Sequence, residues 1–158
     1  MTLSVAAVVV GIDQATKAWA VRRLPQGSIH IVWKLDLILT DNTGSAFSLA
    51  QGWGTAIAIM AVVLVAVLLV AAYRSHSDAM TVALGLIVGG ALGNLVDRFA
   101  RSHHGVVDFI ALHFWPTFNV ADASIVIGAA LAAIVMWRSS SAQRVGADEP
   151  AGDRGLPG

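Results

Sequence analysis

Two aspartates, Asp108 in "GVVDF" (105–109) and Asp122 in "FNVADASIVIG" (118–128), are the residues of this chain best suited to chemistry. Asp122 sits just inside an apolar run, where a charged carboxylate costs a few kcal/mol on membrane-insertion scales and so marks a function or a partner. It could instead be a helix cap stabilised by the helix dipole, although Asn119, three residues earlier, competes well for that position. Should the chain fold Asp108 against Asp122, like charge and low dielectric raise one pKa and leave one carboxylic acid beside one carboxylate. Such a pair can activate a water and protonate an amide leaving group, which is peptide-bond hydrolysis by an aspartic mechanism.

Other polar residues in apolar surroundings accompany the pair. Asp13 and Lys17 lie one helical turn apart and can simply neutralise each other, holding their helix to its neighbours. Asn94 follows a ridge of small residues, Gly85, Gly89 and Gly93, whose plain reading is close helix packing. Arg98 can support a site or merely snorkel to an interface, and Trp19, Trp53 and Trp137, near helix ends, read as an aromatic belt.

The composition shows which elements must position these groups. Of 158 residues, 56% are hydrophobic and 13% charged, and the mean hydropathy is +0.72, whereas a soluble domain carries roughly a quarter charged residues. The chain is predicted to be an integral membrane protein. Basic and acidic residues number 10 each, so no net field argues for nucleic acid. Cysteine is absent, which removes disulfides and thiolate chemistry. Apolar runs over 3–20, 55–73, 80–96 and 119–137 predict four spanning helices of roughly 20 residues each. A cleaved leader over the first run is disfavoured, because no Lys or Arg precedes it and Asp13 and Lys17 interrupt it.

Between the first two runs, Ile29, Ile31, Trp33, Leu35, Leu37 and Leu39 alternate with polar residues, so a small sheet over about 28–50 is expected at the membrane surface. The connection Phe99–Phe118 mixes His103-His104-Gly105 with apolar pairs. Residues 1–138 are read as one membrane-embedded catalytic domain, and 139–158, rich in Ser, Gly, Pro and charge, as a disordered cytoplasmic tail. Four spans put both long connections on one side, and Asp13, Lys17, Asn94, Arg98, Asp108, Asn119 and Asp122 all fall toward that face.

Five segments in this order, "DQATK" (13–17), "NTGSAFS" (42–48), "GNLVDR" (93–98), "GVVDF" (105–109) and "FNVAD" (118–122), resemble lipoprotein signal peptidase, also called signal peptidase II, from about Thr2 to Trp137. The resemblance implies a bacterial inner-membrane aspartic endopeptidase that cuts prolipoproteins on the amino side of the diacylglyceryl-modified lipobox cysteine and is inhibited by globomycin. It implies a mainly α fold of four transmembrane helices with a small extracytoplasmic β-sheet and a short interfacial helix over the site. Asp108 and Asp122 would be the catalytic dyad. Asn42, Gly44, Asn94, Arg98 and Asn119 would line or support the pocket, and Asp13, Lys17, Gly93, Asp97 and Ala121 would act structurally or indirectly. The expected partners are prolipoproteins and membrane lipids, with no cofactor, no metal and no nucleic acid, and the chain is expected to be a monomer. An outward-facing site rests on the resemblance, since the Lys and Arg residues flanking the runs do not orient the chain.

Two rival readings belong to other classes. A small proton-coupled transporter or channel would also use intramembrane Asp and Arg, but it predicts polar residues through the depth of the bundle, whereas the second run is wholly apolar. A metal-dependent protease would draw on His103, His104, His113 and Asp108, yet the chain has no H-E-x-x-H helix.

Overall fold

The computed structural model describes residues 1–42, 54–75, 77–100 and 105–147. Gly44, His103 and His104 lie outside these residues, as do the far end of the expected sheet and the chain beyond Ala147. Four long helices, α1 (Thr2–Arg23), α2 (Gly54–Arg74), α3 (Asp78–Ala100) and α4 (Val120–Ala147), combine with four strands, β1 (Ile29–Val32), β2 (Leu35–Asn42), β3 (Val106–Leu112) and β4 (Trp115–Phe118). A single 3-10 turn, Leu24–Gln26, follows α1, and no other short helix occurs among the described residues.

The helices form where the apolar runs predicted them, and no proline lies inside any of them. Pro25 terminates α1, and Pro116 occupies β4, an edge strand where a missing N–H breaks no ladder. At the start of α3 the Ser77 hydroxyl accepts the Met80 N–H at 3.3 Å, and Asp78 places a negative charge in the first turn. Asp78–Ala100 and Val120–Ser140 are long and apolar enough to cross a membrane, and Val62–Arg74 is a shorter apolar helix. Many apolar side chains point outward, Leu3, Val8, Met60, Val63, Val67, Val126 and Ile127 among them, a surface suited to lipid.

Helix α3 is central and packs against the other three. Its glycines set the spacing. A Cβ on Gly89 would stand 2.7 Å from Val9 Cβ and 2.9 Å from the Ala6 backbone, and one on Gly93 would stand 2.6 Å from Asp13 Oδ2. Gly90 meets the Ala121 carbonyl with equally little room. Thus one edge of the ridge admits α1 and the other admits α4, the close backbone approach that small residues permit.

All strand pairs are antiparallel, in the order β1-β2-β3-β4. The expected sheet is half of the real one. Strands β3 and β4 come from the second long connection, and β2 pairs with β3 across the sequence, setting Thr40 opposite Asp108 and Asn42 opposite Val106. Val106 through Phe109 are all buried, so the alternation that reveals a half-exposed strand is missing there. The sheet covers the bundle end: Leu37, Leu39, Phe109 and Ile110 pack around Ala20, Leu24 and Val120. A second correction concerns the tail. Helix α4 continues to Ala147 through the serines read as disordered, and the Ser139 and Ser140 hydroxyls bond the Val135 and Met136 carbonyls at 3.0 Å.

Gly89→Ala forces α1 away from α3 and is expected to cost about 1–3 kcal/mol of stability. Gly11→Ala, on a side of α1 with nothing within 4 Å of the new methyl, is expected to be neutral or to stabilise by about 0.5–1 kcal/mol through helix propensity. Thermal unfolding of the two variants in one detergent checks this, and equal melting temperatures would contradict the packing described.

Candidate active site

Lys17, deep in α1, is 0% exposed, and an isolated ammonium there would be prohibitive. Its Nζ lies 2.8 Å from Asp13 Oδ2 and 3.0 Å from Asp97 Oδ2, both carboxylates also fully buried, and donates to Asn94 Oδ1 at 3.0 Å. The pairing expected between Asp13 and Lys17 is present, and Asp97 of α3 completes it as a second carboxylate.

Each structural carboxylate also reaches past Lys17 to a backbone amide. Asp13 Oδ1 accepts the Ala121 N–H at 3.0 Å, and Asp97 Oδ2 accepts the Val107 N–H at 3.1 Å. Ala121 immediately precedes Asp122, and Val107 immediately precedes Asp108. The ammonium that joins Asp13 to Asp97 therefore ties together the two backbone points from which the candidate acids project. Gln14 reinforces the tie, its Nε2 standing 3.0 Å from Asp97 Oδ1, 3.1 Å from the Gly93 carbonyl and 3.2 Å from Asp13 Oδ2. Gln14 was not singled out as a site residue, although a polar amide inside an apolar helix, next to Asp13, was the available signal.

Three asparagines connect this frame to the acids. Lys17 can only donate, so Asn94 turns its oxygen to Nζ and its amide nitrogen to Asp122 Oδ1, at 2.8 Å. Asn119, fully buried, donates to Asp108 Oδ1 at 2.7 Å and lies 3.1 Å from Asn94 Oδ1. Its own oxygen accepts the Asp122 N–H at 3.0 Å while Asp122 Oδ2 accepts the Asn119 N–H at 3.2 Å, a reciprocal cap on the first turn of α4. Asp122 thus contributes to the cap as well as facing the site. Asn42, at the end of β2, donates to Asp108 Oδ2 at 3.0 Å.

Every oxygen of the two acids consequently receives an N–H donor from an asparagine, and none receives a bond from a cation among the described residues. A directly bound Lys or Arg would pin both carboxyls in the ionised form far more strongly than these neutral amides, which orient them. Burial drives the Asp108 carboxyl up to about 6, with the charge of Asp122 adding to the rise, while the amides of Asn42 and Asn119 and the charge of Lys17 oppose it. Asp108 is 2% exposed, and Asp122 is half-buried at the edge of the cluster.

The other expected site residues fall into place unevenly. Gly93 leaves room for the Asp13 carboxylate, and Ala121, fully buried, gives Asp13 its backbone amide. Arg98 stays apart from the network: its hydrogen bond among the described residues is to the Asn94 carbonyl, at 3.5 Å. His113 lies at the far end of β3, its Nε2 2.8 Å from Asp36 Oδ2, and does not join Asp108 as the metal reading required. An apolar groove of about 390 Å³, lined by Leu92, Leu95, Val96, Phe99 and Ala100, runs along α3 on the side of the helix away from Asn94.

Known proteins share this architecture. A lipoprotein signal peptidase of Mycobacterium leprae is 40% identical over 141 residues, covering 85% of this chain and 70% of the relative. That of Mycobacterium tuberculosis strain H37Rv is 42% identical over 141 residues with the same coverages of 85% and 70%. That of Halothermothrix orenii is 36% identical over 141 residues, covering 87% of this chain and 96% of the relative. Two solved bacterial membrane enzymes superpose with TM-scores of 0.75 at 30% identity, covering 85% of this chain and 91% of the other, and 0.77 at 25% identity, covering 99% and 94%. The family model described as signal peptidase (SPase) II matches residues 5–138, and with nearly every described helix and strand inside that match, the chain belongs to the signal peptidase II family.

Proposed function

We propose that Asp108 and Asp122 are the catalytic dyad of an intramembrane aspartic endopeptidase. Family membership makes the chain a protease that removes signal peptides from prolipoproteins, and the relatives lend the transporter reading no support. The observation that carries the dyad is the double grip: Asp13 and Asp97 hold the amides just before the two acids, and Lys17 locks the two grips together.

The reading extends to the membrane. All four long helices span it in this proposal, α1 included, because the residues that interrupt its apolar run, Asp13 and Lys17, are hidden from lipid by pairing. The described exposed side chains of α2 up to Val70 are uniformly apolar. In this proposal cleavage occurs at the outer surface of the bacterial inner membrane, with the sheet outside, Asn42 at the pocket and the chain acting as a monomer. There the carboxylate of the pair takes a proton from water, which attacks the scissile carbonyl. Its protonated partner hydrogen-bonds the carbonyl oxygen and then delivers the proton to the leaving nitrogen.

Asp108→Asn and Asp122→Asn are each expected to abolish cleavage of a diacylglyceryl-modified prolipoprotein while the protein still inserts and folds. Reconstituted cleavage followed by gel shift measures this, and full activity in either variant would sink the assignment. Equal cutting of lipidated and unlipidated substrate would contradict the substrate class.

The pH dependence carries a second test. Because Asp108 is raised to about 6, kcat/KM is expected to fall on the alkaline side as pH passes through that value and the shared proton is lost. Asn42 favours the ionised form, so Asn42→Ala is expected to move that limb to higher pH. A limb that stays in place or moves down would count against the proton-sharing pair.

A further inference from the structure

We propose that the joined tips of the β1–β2 and β3–β4 hairpins form an aromatic anchor that enters the headgroup region of the lipid bilayer beside the helix bundle. The inference rests on the membrane-spanning arrangement proposed above. The two tips lie side by side because β2 pairs with β3 in a register that sets Leu35 opposite Leu112. There Trp33, Phe114 and Trp115 are 75%, 63% and 63% exposed, with Val32 exposed beside them. Such a cluster has no evident place in water.

Three features show that the cluster is built rather than left over. Trp33 takes φ 52°, a left-handed conformation that disfavours a residue with a side chain and that glycine would fill without strain, so this tryptophan is held where its backbone resists it. The two hairpins are clasped: His113 donates its backbone N–H to the Lys34 carbonyl at 3.3 Å, and Asp36 takes the imidazoles of His30 at 2.6 Å and His113 at 2.8 Å. The rings of Trp33 and Phe114 meet across the clasp at 6.4 Å between centroids. The aromatic side chains are therefore presented as one preorganised unit.

The occupant follows from chemistry and position. Lys34 sits 5.3 Å from the Trp33 ring centroid, and exposed Arg22 and Arg23 end α1 just before the buried Leu24 that the sheet packs upon. Tryptophan, phenylalanine and cations together match the boundary between acyl chains and phosphates. The packing of Leu37, Leu39 and Phe109 on the last turn of α1 keeps the sheet at the level where that helix would leave the bilayer. From Leu37 the hairpin runs about 13 Å further to its tip, enough to reach lipid beyond the bundle.

Because the chain has Cys 0, Pro116→Cys carries a single nitroxide next to Trp115 without removing an anchor residue. In nanodiscs of mixed phosphatidylcholine and phosphatidylglycerol, the ratio of oxygen to nickel-chelate accessibility is expected to be about threefold higher than in the same label with W33S, F114S and W115S added. As a check that needs no cysteine, headgroup-proximal brominated lipids are expected to quench the fluorescence of the W19F/W53F/W137F variant, in which Trp33 and Trp115 are the tryptophans left, by at least about twofold. A label equally open to the nickel chelate in both proteins, or fluorescence of W19F/W53F/W137F that the brominated lipids leave unquenched, would overturn the anchor. Protection that appears only when a signal-peptide segment is added would overturn it too and give the surface to substrate. Both measurements are made without substrate in the first instance, so they stand whether or not Asp108 and Asp122 cut.

Discussion

A buried ammonium between two buried carboxylates is the constraint from which the rest of the structure follows. Lys17 cannot lie in an apolar bundle alone, and Asp13 and Asp97 cannot lie there together without it. Removing the lysine would strand two carboxylates at a cost of about 3–5 kcal/mol. Once formed, the triad fixes α1 against α3, and its spare acceptors reach α4 and β3. Helix packing and site geometry are consequently one problem in this protein. The glycines of α3 show the same economy, since the space left at Gly93 is the space the Asp13 carboxylate occupies.

The arrangement separates holding from reacting. Charge is spent on the frame, where saturated acceptors and full burial make the triad rigid. Neutral amides hold Asp108 and Asp122, the proposed dyad, where a direct cation would keep both acids ionised. Asn94 is the joint between the two regions, with its oxygen on Lys17 and its nitrogen on Asp122. An aspartate there would repel Asp122, and a leucine would leave Lys17 an acceptor short, so the requirement is for an amide that both accepts and donates.

Much of this was legible in the sequence, for physical reasons that differ by element. The long helices announced themselves because apolar runs that long have few alternatives, and Asp122, Asn119 and Lys17 because polarity in such runs is expensive. Strand β3 stayed hidden because burial on both faces erases the alternation that betrays a strand. With it stayed hidden the pairing that carries Asn42 to Asp108, a contact between residues remote in the chain. The backbone grips of Asp13 and Asp97 were equally out of reach, since no side-chain pattern encodes which amide a carboxylate will hold. The helical run to Ala147 was missed because serine and arginine there looked like a solvated tail, yet those serines bond back to helix carbonyls.

Proton sharing between the two acids is the centre of this account, and a carboxyl titration reads it most directly. In protein labelled with 13C at the aspartate side-chain carboxyl, followed by NMR in nanodiscs, Asp108 is expected to titrate near pH 6 in the parent. It is expected to titrate lower in Asp122→Asn, where the neighbouring negative charge is gone. An Asp108 resonance whose midpoint does not move, or moves upward, would contradict the pairing on which the proposed chemistry depends.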